Sequence, residues 1–177
     1  MNNQLIINDN LMDKILDRLT SQIFELFFFN PNLVILSLQP RGLLLGKALA
    51  ERLSNKFHSN IVFGKIDPSF YRDDYGQGKK FIIPSGSDFE IDIEGLPVLL
   101  IDDVIYTGRT SRAAINSLQD FGRPKWIKIL VLVNRHLERQ LPIAVDYEGL
   151  KIDLRTHQNI RVKQNLLGKI ELILSND

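Results

Sequence analysis

The run Val98-Leu99-Leu100-Ile101-Asp102-Asp103-Val104-Ile105-Tyr106-Thr107-Gly108-Arg109-Thr110 decides how this chain is read. Residues 98–101 are four apolar positions that suit a strand buried on both faces, and the apolar spacing over residues 110–118 suits a helix. Between them stand two adjacent carboxylates and then a small, hydroxyl-bearing turn. Thr107, Gly108 and Thr110 can offer N–H groups and hydroxyls to a phosphate, and the N-terminal end of the following helix adds positive potential. Asp102 and Asp103 would repel that anion, so they must face hydroxyls or a cation, and a ribose with bound magnesium carries both. The run predicts a site for a phosphorylated sugar. The competing reading is a surface turn in which the acidic pair merely solvates a strand end.

Outward from that run, the chain repeats the alternation of strand and helix. Asn8 or Asp9 can cap a helix whose Leu11, Met12, Ile15, Leu16, Leu19, Ile23 and Phe27 share one broad apolar face, ending before Asn30 and Pro31. Residues 33–38 read as a buried strand, Gln39-Pro40-Arg41-Gly42 as a turn, and residues 43–56 as a helix. Residues 61–66 and 126–133 supply two further strands. Such alternation requires crossovers, so the expected fold is α/β, a mostly parallel sheet flanked by helices, in one domain over residues 1–177. Ligands of these sheets gather at the carboxyl ends of the strands. The 39–42 turn and the acidic pair both belong to that edge. Residues 71–94 are different: polar and punctuated by Gly76 and Gly78, they predict a hairpin with a flexible tip, which reads equally as a lid or as a solvated loop.

With 177 residues and 44% hydrophobic content the chain can bury one sizeable core, and no change of composition marks a second domain. A net charge of +1 exerts no overall pull toward nucleic acid or membrane. There is no cysteine, which removes disulfides, thiolate metal sites and cysteine nucleophiles, and suits a reducing cytoplasm. The apolar stretches 24–29 and 33–38 are separated by Asn30-Pro31-Asn32, so neither is long enough to span a bilayer. The Met1 end lacks the basic-then-apolar order of a signal peptide. His136 and His157 have no metal-ligand spacing.

The string from Asp102 to Thr110 resembles the phosphoribosyl pyrophosphate (PRPP) motif of the type I phosphoribosyltransferases. In detail it is most similar to the version in the bifunctional pyrimidine operon attenuation proteins that are also uracil phosphoribosyltransferases, and a looser similarity runs from residue 33 to Gly149. The resemblance implies transfer of a phosphoribosyl group from PRPP to a nucleobase, with uracil favoured, giving UMP and pyrophosphate. It implies Mg²⁺ held through substrate and water near Asp102 and Asp103. Those two residues, with Arg72 of the lid, would serve catalysis. Tyr106, Thr107, Gly108, Arg109 and Thr110 would bind PRPP through its 5′-phosphate, and Gln39, Pro40, Arg41 and Gly42 its pyrophosphate. Val104, Tyr106, Asn134 and Arg135 would line the base pocket. Purine-specific relatives place an Asp where Tyr106 stands. A phenol with an ordinary pKa of about 10 is a poor proton acceptor, which favours a pyrimidine. A cytoplasmic homodimer or higher homo-oligomer, with no membrane partner, completes the expectation.

The resemblance also has departures. After residues 131–133 the attenuation proteins usually carry Asp-Arg-Gly-His; here Asn134, Arg135 and His136 follow, and the spacing to the retained Leu141-Pro142-Ile143 is one residue longer. Pro40 stands where Thr is usual. The alternative function is a uridine-nucleotide-sensing, RNA-binding regulator with weak or no catalysis, or transfer to another base. Arg123, Lys125, Lys128, Arg135, Arg139, Lys151, Arg155, Arg161, Lys163 and Lys169 would form the RNA stripe, against which stands the lack of interleaved aromatics. Residues after Arg155 have no counterpart in the resemblance.

Overall fold

A computed structural model of the chain describes residues 4–5, 7–57, 62–71, 92–135, 137–154 and 158–176. Its elements are β1 (Gln4–Leu5), α1 (Asp9–Phe29), β2 (Val34–Leu38), α2 (Gly42–Phe57), β3 (Val62–Ile66), β4 (Pro97–Ile105), α3 (Arg109–Leu118), β5 (Trp126–Asn134), β6 (Tyr147–Lys151), β7 (Gln158–Gln164) and β8 (Ile170–Asn176). Asn8 starts α1 by accepting the Leu11 N–H on its side-chain oxygen at 2.9 Å. The helix stops where the Asn30 N–H turns back to the Phe27 carbonyl, ahead of Pro31.

Five strands form a parallel sheet in the order β3-β2-β4-β5-β6. β1, β8 and β7 form a separate antiparallel sheet. Strands 33–38 and 98–101 are apolar apart from the buried Ser37 because both of their faces are covered. On one face α1 and α2 pack Met12, Ile15, Leu19, Leu45 and Leu49 over Ile35, Leu99 and Ile101, and the antiparallel sheet adds Ile160, Ile170 and Leu172. On the other face Ala114 and Leu118 of α3 pack over Leu36, Leu100 and Val131. The chain runs outward from β2 to β3, then returns across β2 to β4. The β2/β4 boundary is therefore the topological switch point, where crevices open at the carboxyl edge of such sheets.

Three features differ from the sequence expectation. The strand expected over 98–101 continues through Asp102 and Asp103 to Ile105, because β5 goes on pairing with it after the apolar run ends. Leu11, expected on the buried face of α1, is 45% exposed, since it lies at the margin of the helix's apolar arc. The antiparallel sheet was not anticipated: its partners β1 and β8 lie at opposite ends of the sequence, and local pattern carries no trace of such pairing. Arg72 and most of the expected lid, with His136, Arg155 and His157, lie outside the described residues. Among the described residues no helix is long and apolar enough to cross a membrane.

Candidate active site

β4 pairs with β2 only as far as Ser37 opposite Ile101, yet its pairing with β5 continues to Ile105 opposite Asn134. Asp102 and Asp103 therefore sit where β4 has outrun one neighbour. Residues 39–42 turn into that gap. A Cβ added at Gly42 would lie 2.7 Å from the Ile101 carbonyl oxygen and 3.0 Å from the Asp102 Cα, so glycine is what allows the first turn of α2 to rest against the acidic strand. The Gln39 N–H is held by the Ile66 carbonyl, and Pro40 and Arg41 are exposed. The Arg41 charge acts on both carboxylates.

The carboxylates themselves are buried, with Asp102 6% and Asp103 5% exposed. Asp102 accepts the Asp103 N–H at 2.9 Å, and Asp103 accepts the Val104 N–H at 2.8 Å. Burial, and then the neighbouring charge of Asp103, push the Asp102 carboxyl well above the ordinary carboxylate range. Burial also raises Asp103, against the pull of the Val104 N–H. Such a pair resists full ionisation until hydroxyl donors or a cation arrive.

The bend follows at once. Gly108 caps α3 with φ +91°, a left-handed conformation that side chains disfavour, and a Cβ there would come within 3.3 Å of Ile143 Cγ1 and 3.4 Å of Arg139 Cδ. The Thr107 hydroxyl accepts the Arg109 N–H at 3.3 Å, and its carbonyl accepts the N–H groups of Gln140 and Leu141. The N–H groups in the first turn of α3 have no carbonyl within the helix to bond, so they present positive potential to the carboxyl edge of the sheet. Ser111, in that turn, buries a hydroxyl with no partner among the described residues. Gly108→Ala is expected to cost about 1–3 kcal/mol of stability, which thermal melting of that variant checks.

Beside the bend, Tyr106 is half exposed. Its hydroxyl donates to Glu138, and the Arg135 guanidinium lies 4.0 Å from its ring centroid. Arg135 is buried and pairs with Glu138 at 3.3 Å. The Glu138 bond holds the Tyr106 hydroxyl above its ordinary pKa, so the phenol stays neutral. Both ends of the Asn134 amide are engaged: it donates to Glu148 and accepts from Arg139, each at 2.6 Å. Asn134 thus braces Arg139. Val104 is half buried against the α1-side core. Arg109 extends its Nε to Gln140, which ties α3 to the segment after β5.

Residues 4–165 match the phosphoribosyl transferase domain. The chain belongs to that family. It is 34% identical over 160 residues to the bifunctional protein PyrR of Haemophilus ducreyi, covering 90% of this chain and 89% of that one. Identity to the bifunctional protein PyrR of Bacillus cereus is 38% over 160 residues, covering 89% and 88%. Among solved structures, the fold is shared with a hypoxanthine phosphoribosyltransferase of Staphylococcus aureus (TM-score 0.65, 21% identity, covering 84% of this chain and 77% of that one). It is also shared with the Trypanosoma cruzi hypoxanthine phosphoribosyltransferase in complex with IMP (TM-score 0.67, 19% identity, covering 87% and 82%). This chain is a type I phosphoribosyltransferase of the PyrR kind.

In this phosphoribosyltransferase the structure brings the 39–42 turn, the acidic pair and the bend to one sheet edge. Three residues of the expected basic stripe have partners within the chain. Arg135 is buried beside Tyr106, Lys128 pairs with Asp146, and Lys169 pairs with Asp9 at the start of α1. Sequence reasoning missed Ser111, Glu138 and Arg139, whose stem covers Gly108. The retained Leu141-Pro142-Ile143 was the available signal for the last two, since it fixes where that segment must return to the bend. Among the described residues no group of three or more His, Asp or Glu could hold a metal. Two adjacent, buried carboxylates do fit Mg²⁺, which takes one or two protein carboxylates and fills its remaining positions with water and substrate oxygens.

Proposed function

We propose that this chain transfers the phosphoribosyl group of PRPP to uracil in the cytoplasm, releasing pyrophosphate and forming UMP. The observation that carries the reading is the buried Asp102–Asp103 pair near the carboxyl end of β4, with the turn at Gly42 packed against Asp102 and the bend of residues 107–110 following directly in the chain. A sugar with an anion at each end and hydroxyls between fits that charge order. Asp102 and Asp103 accept the ribose hydroxyls and place negative charge beneath the cation that develops at the anomeric carbon. The N–H groups of the bend and the start of α3 hold the 5′-phosphate. Backbone groups of residues 39–42 and the Arg41 guanidinium take the pyrophosphate as its bond to the sugar breaks, while a nitrogen of the base attacks. Magnesium, when bound, supplies positive charge to the departing pyrophosphate oxygens.

Uracil is favoured by the 34–38% identity to PyrR proteins and by Tyr106. The Tyr106 hydroxyl is committed to Glu138 and stays neutral, so it accepts no proton from the base. Uracil has a ring N–H acidic enough to need no strong acceptor. Assaying uracil, hypoxanthine, guanine, xanthine and orotate side by side with PRPP and magnesium is expected to give UMP fastest. Equal or faster turnover of a purine would overturn the choice of base, and no turnover of any base would overturn the catalytic reading in favour of a regulator.

The raised acidity range of the pair has a consequence for binding. Burial favours the neutral form of Asp102 whereas ribose hydroxyls or a cation would favour the charged one, so binding of PRPP with magnesium is expected to release protons and to weaken as pH falls. Calorimetric titrations in buffers of different ionisation enthalpy check this, and heats independent of buffer would contradict it.

A further inference from the structure

We infer that Glu138 sets which pyrimidine the site accepts. By taking the hydrogen bond of the Tyr106 hydroxyl it leaves the phenol oxygen able only to accept, and an acceptor at that point selects a base with a ring N–H over one whose ring nitrogen is bare. The role rests on the phosphoribosyl transfer proposed above: uracil is a base of the first kind, and cytosine, with the same ring, is one of the second.

The fold fixes the side from which the base must come. β4 lies between β2 and β5, and the turn of residues 39–42 follows β2 and rests against Asp102 through Gly42. With the pyrophosphate leaving on that side, a nitrogen attacking in line reaches the anomeric carbon from the β5 side. β4 and β5 pair as far as Ile105 opposite Asn134, so the residues that follow the two strands there are Tyr106 and Arg135. Tyr106 stands in the chain between the acidic pair and the bend, and it is 39% exposed, which leaves it surface for a ligand.

The other polar groups on that side are already matched. Arg135 is buried, its N–H is held by the Ile105 carbonyl at 3.0 Å, and its guanidinium lies 4.0 Å from the centroid of the Tyr106 ring, so ring and guanidinium are fixed together. Asn134 spends its amide on Glu148 and Arg139, and the remaining Arg139 nitrogen, Nη1, is buried without a partner. Glu138 is engaged at both oxygens, one accepting Arg135 Nη2 at 3.3 Å and the other the Tyr106 hydroxyl. A carboxylate has no proton to give, so the phenol must be the donor of that bond. What Tyr106 can still offer is a lone pair. It takes the hydrogen bond of the ring N–H of uracil without taking the proton, because the phenol stays neutral. The bare ring nitrogen of cytosine would bring a second lone pair against the first, and both atoms would lose water and gain no bond.

The test is the KM for uracil and the inhibition constant of cytosine against it, measured in wild type, Glu138→Gln, Tyr106→Phe and the double variant. In wild type, cytosine is expected to bind at least about 10²-fold more weakly than uracil. In Glu138→Gln, Arg135 claims the amide oxygen, the amide nitrogen can only donate to Tyr106, and the phenol proton turns outward. The ratio of the cytosine inhibition constant to the uracil KM is then expected to fall about tenfold or more, while the KM for PRPP stays within about threefold. Tyr106→Phe removes the acceptor and is expected to lower the ratio by a similar factor, and adding Glu138→Gln to it is expected to change the ratio no further. Should Glu138→Gln fail to fold, Tyr106→Phe decides by itself. A ratio unmoved by Tyr106→Phe, or one that falls again in the double variant, would overturn the role of Glu138 while leaving uracil as the substrate. A wild type that turned over no uracil would overturn the choice of base and the role of Glu138 together.

Discussion

Replacing both carboxylates, Asp102→Asn with Asp103→Asn, is expected to lower kcat/KM for phosphoribosyl transfer at least about 10³-fold while making the protein harder to melt at neutral pH. The first effect follows from loss of the negative charge beneath the cationic sugar. The second follows from linkage. Both carboxyls have folded-state pKa values raised above their unfolded ones, chiefly by burial. Groups of that kind favour the fold fully below the unfolded pKa and lose that contribution as pH rises through the folded one. Above that window the wild-type pair is a charge held out of water, and the amide pair removes it. Asparagine can still accept the N–H groups of Asp103 and Val104 on its oxygen, so the strand is kept. Tm at pH 7–8 should therefore rise on the order of a few degrees, and the difference from wild type should shrink toward pH 4. A variant that lost activity and also melted earlier would make the pair structural rather than functional.

Gly42→Ala is expected to cost about 10²-fold in kcat/KM and about 1–3 kcal/mol of stability. An added methyl group at that position meets backbone, the Ile101 carbonyl at 2.7 Å, and no flexible side chain is there to yield. The first turn of α2 must retreat from the acidic strand and take Arg41 with it. Because Arg41 draws down the pKa of both carboxylates, its retreat should also shift the acid limb of the pH–rate profile upward. Initial rates at varied pyrophosphate and PRPP, with a melting curve, check the account. An unchanged rate would show that the 39–42 turn takes no part in the reaction.

The parallel sheet was legible because its strands are short, continuous apolar runs and its helices carry one apolar stripe each, both set by local spacing. The acidic pair and the bend were legible because the chemistry of a phosphorylated sugar requires opposite demands to be met within a few residues of one another. What the sequence hid is non-local. Nothing near Gln4 indicates that its partner is Leu174. Asp102 and Asp103 follow an apolar run and so mimic a strand end, whereas hydrogen bonds from β5 keep them inside the strand. Glu138 and Arg139 lie some thirty residues from the bend they reach, and only the fold brings them there. Leu11 was misplaced because a helical wheel cannot tell the margin of a buried arc from its centre.

The most direct test is a crystal structure with magnesium and PRPP bound. The expected density places the 5′-phosphate against the N–H groups of residues 107–110, the ribose hydroxyls on Asp102 and Asp103, and the pyrophosphate at residues 39–42 with Arg41. A sugar bound elsewhere, or one whose phosphate occupied the bend while its hydroxyls pointed away from both carboxylates, would contradict the account.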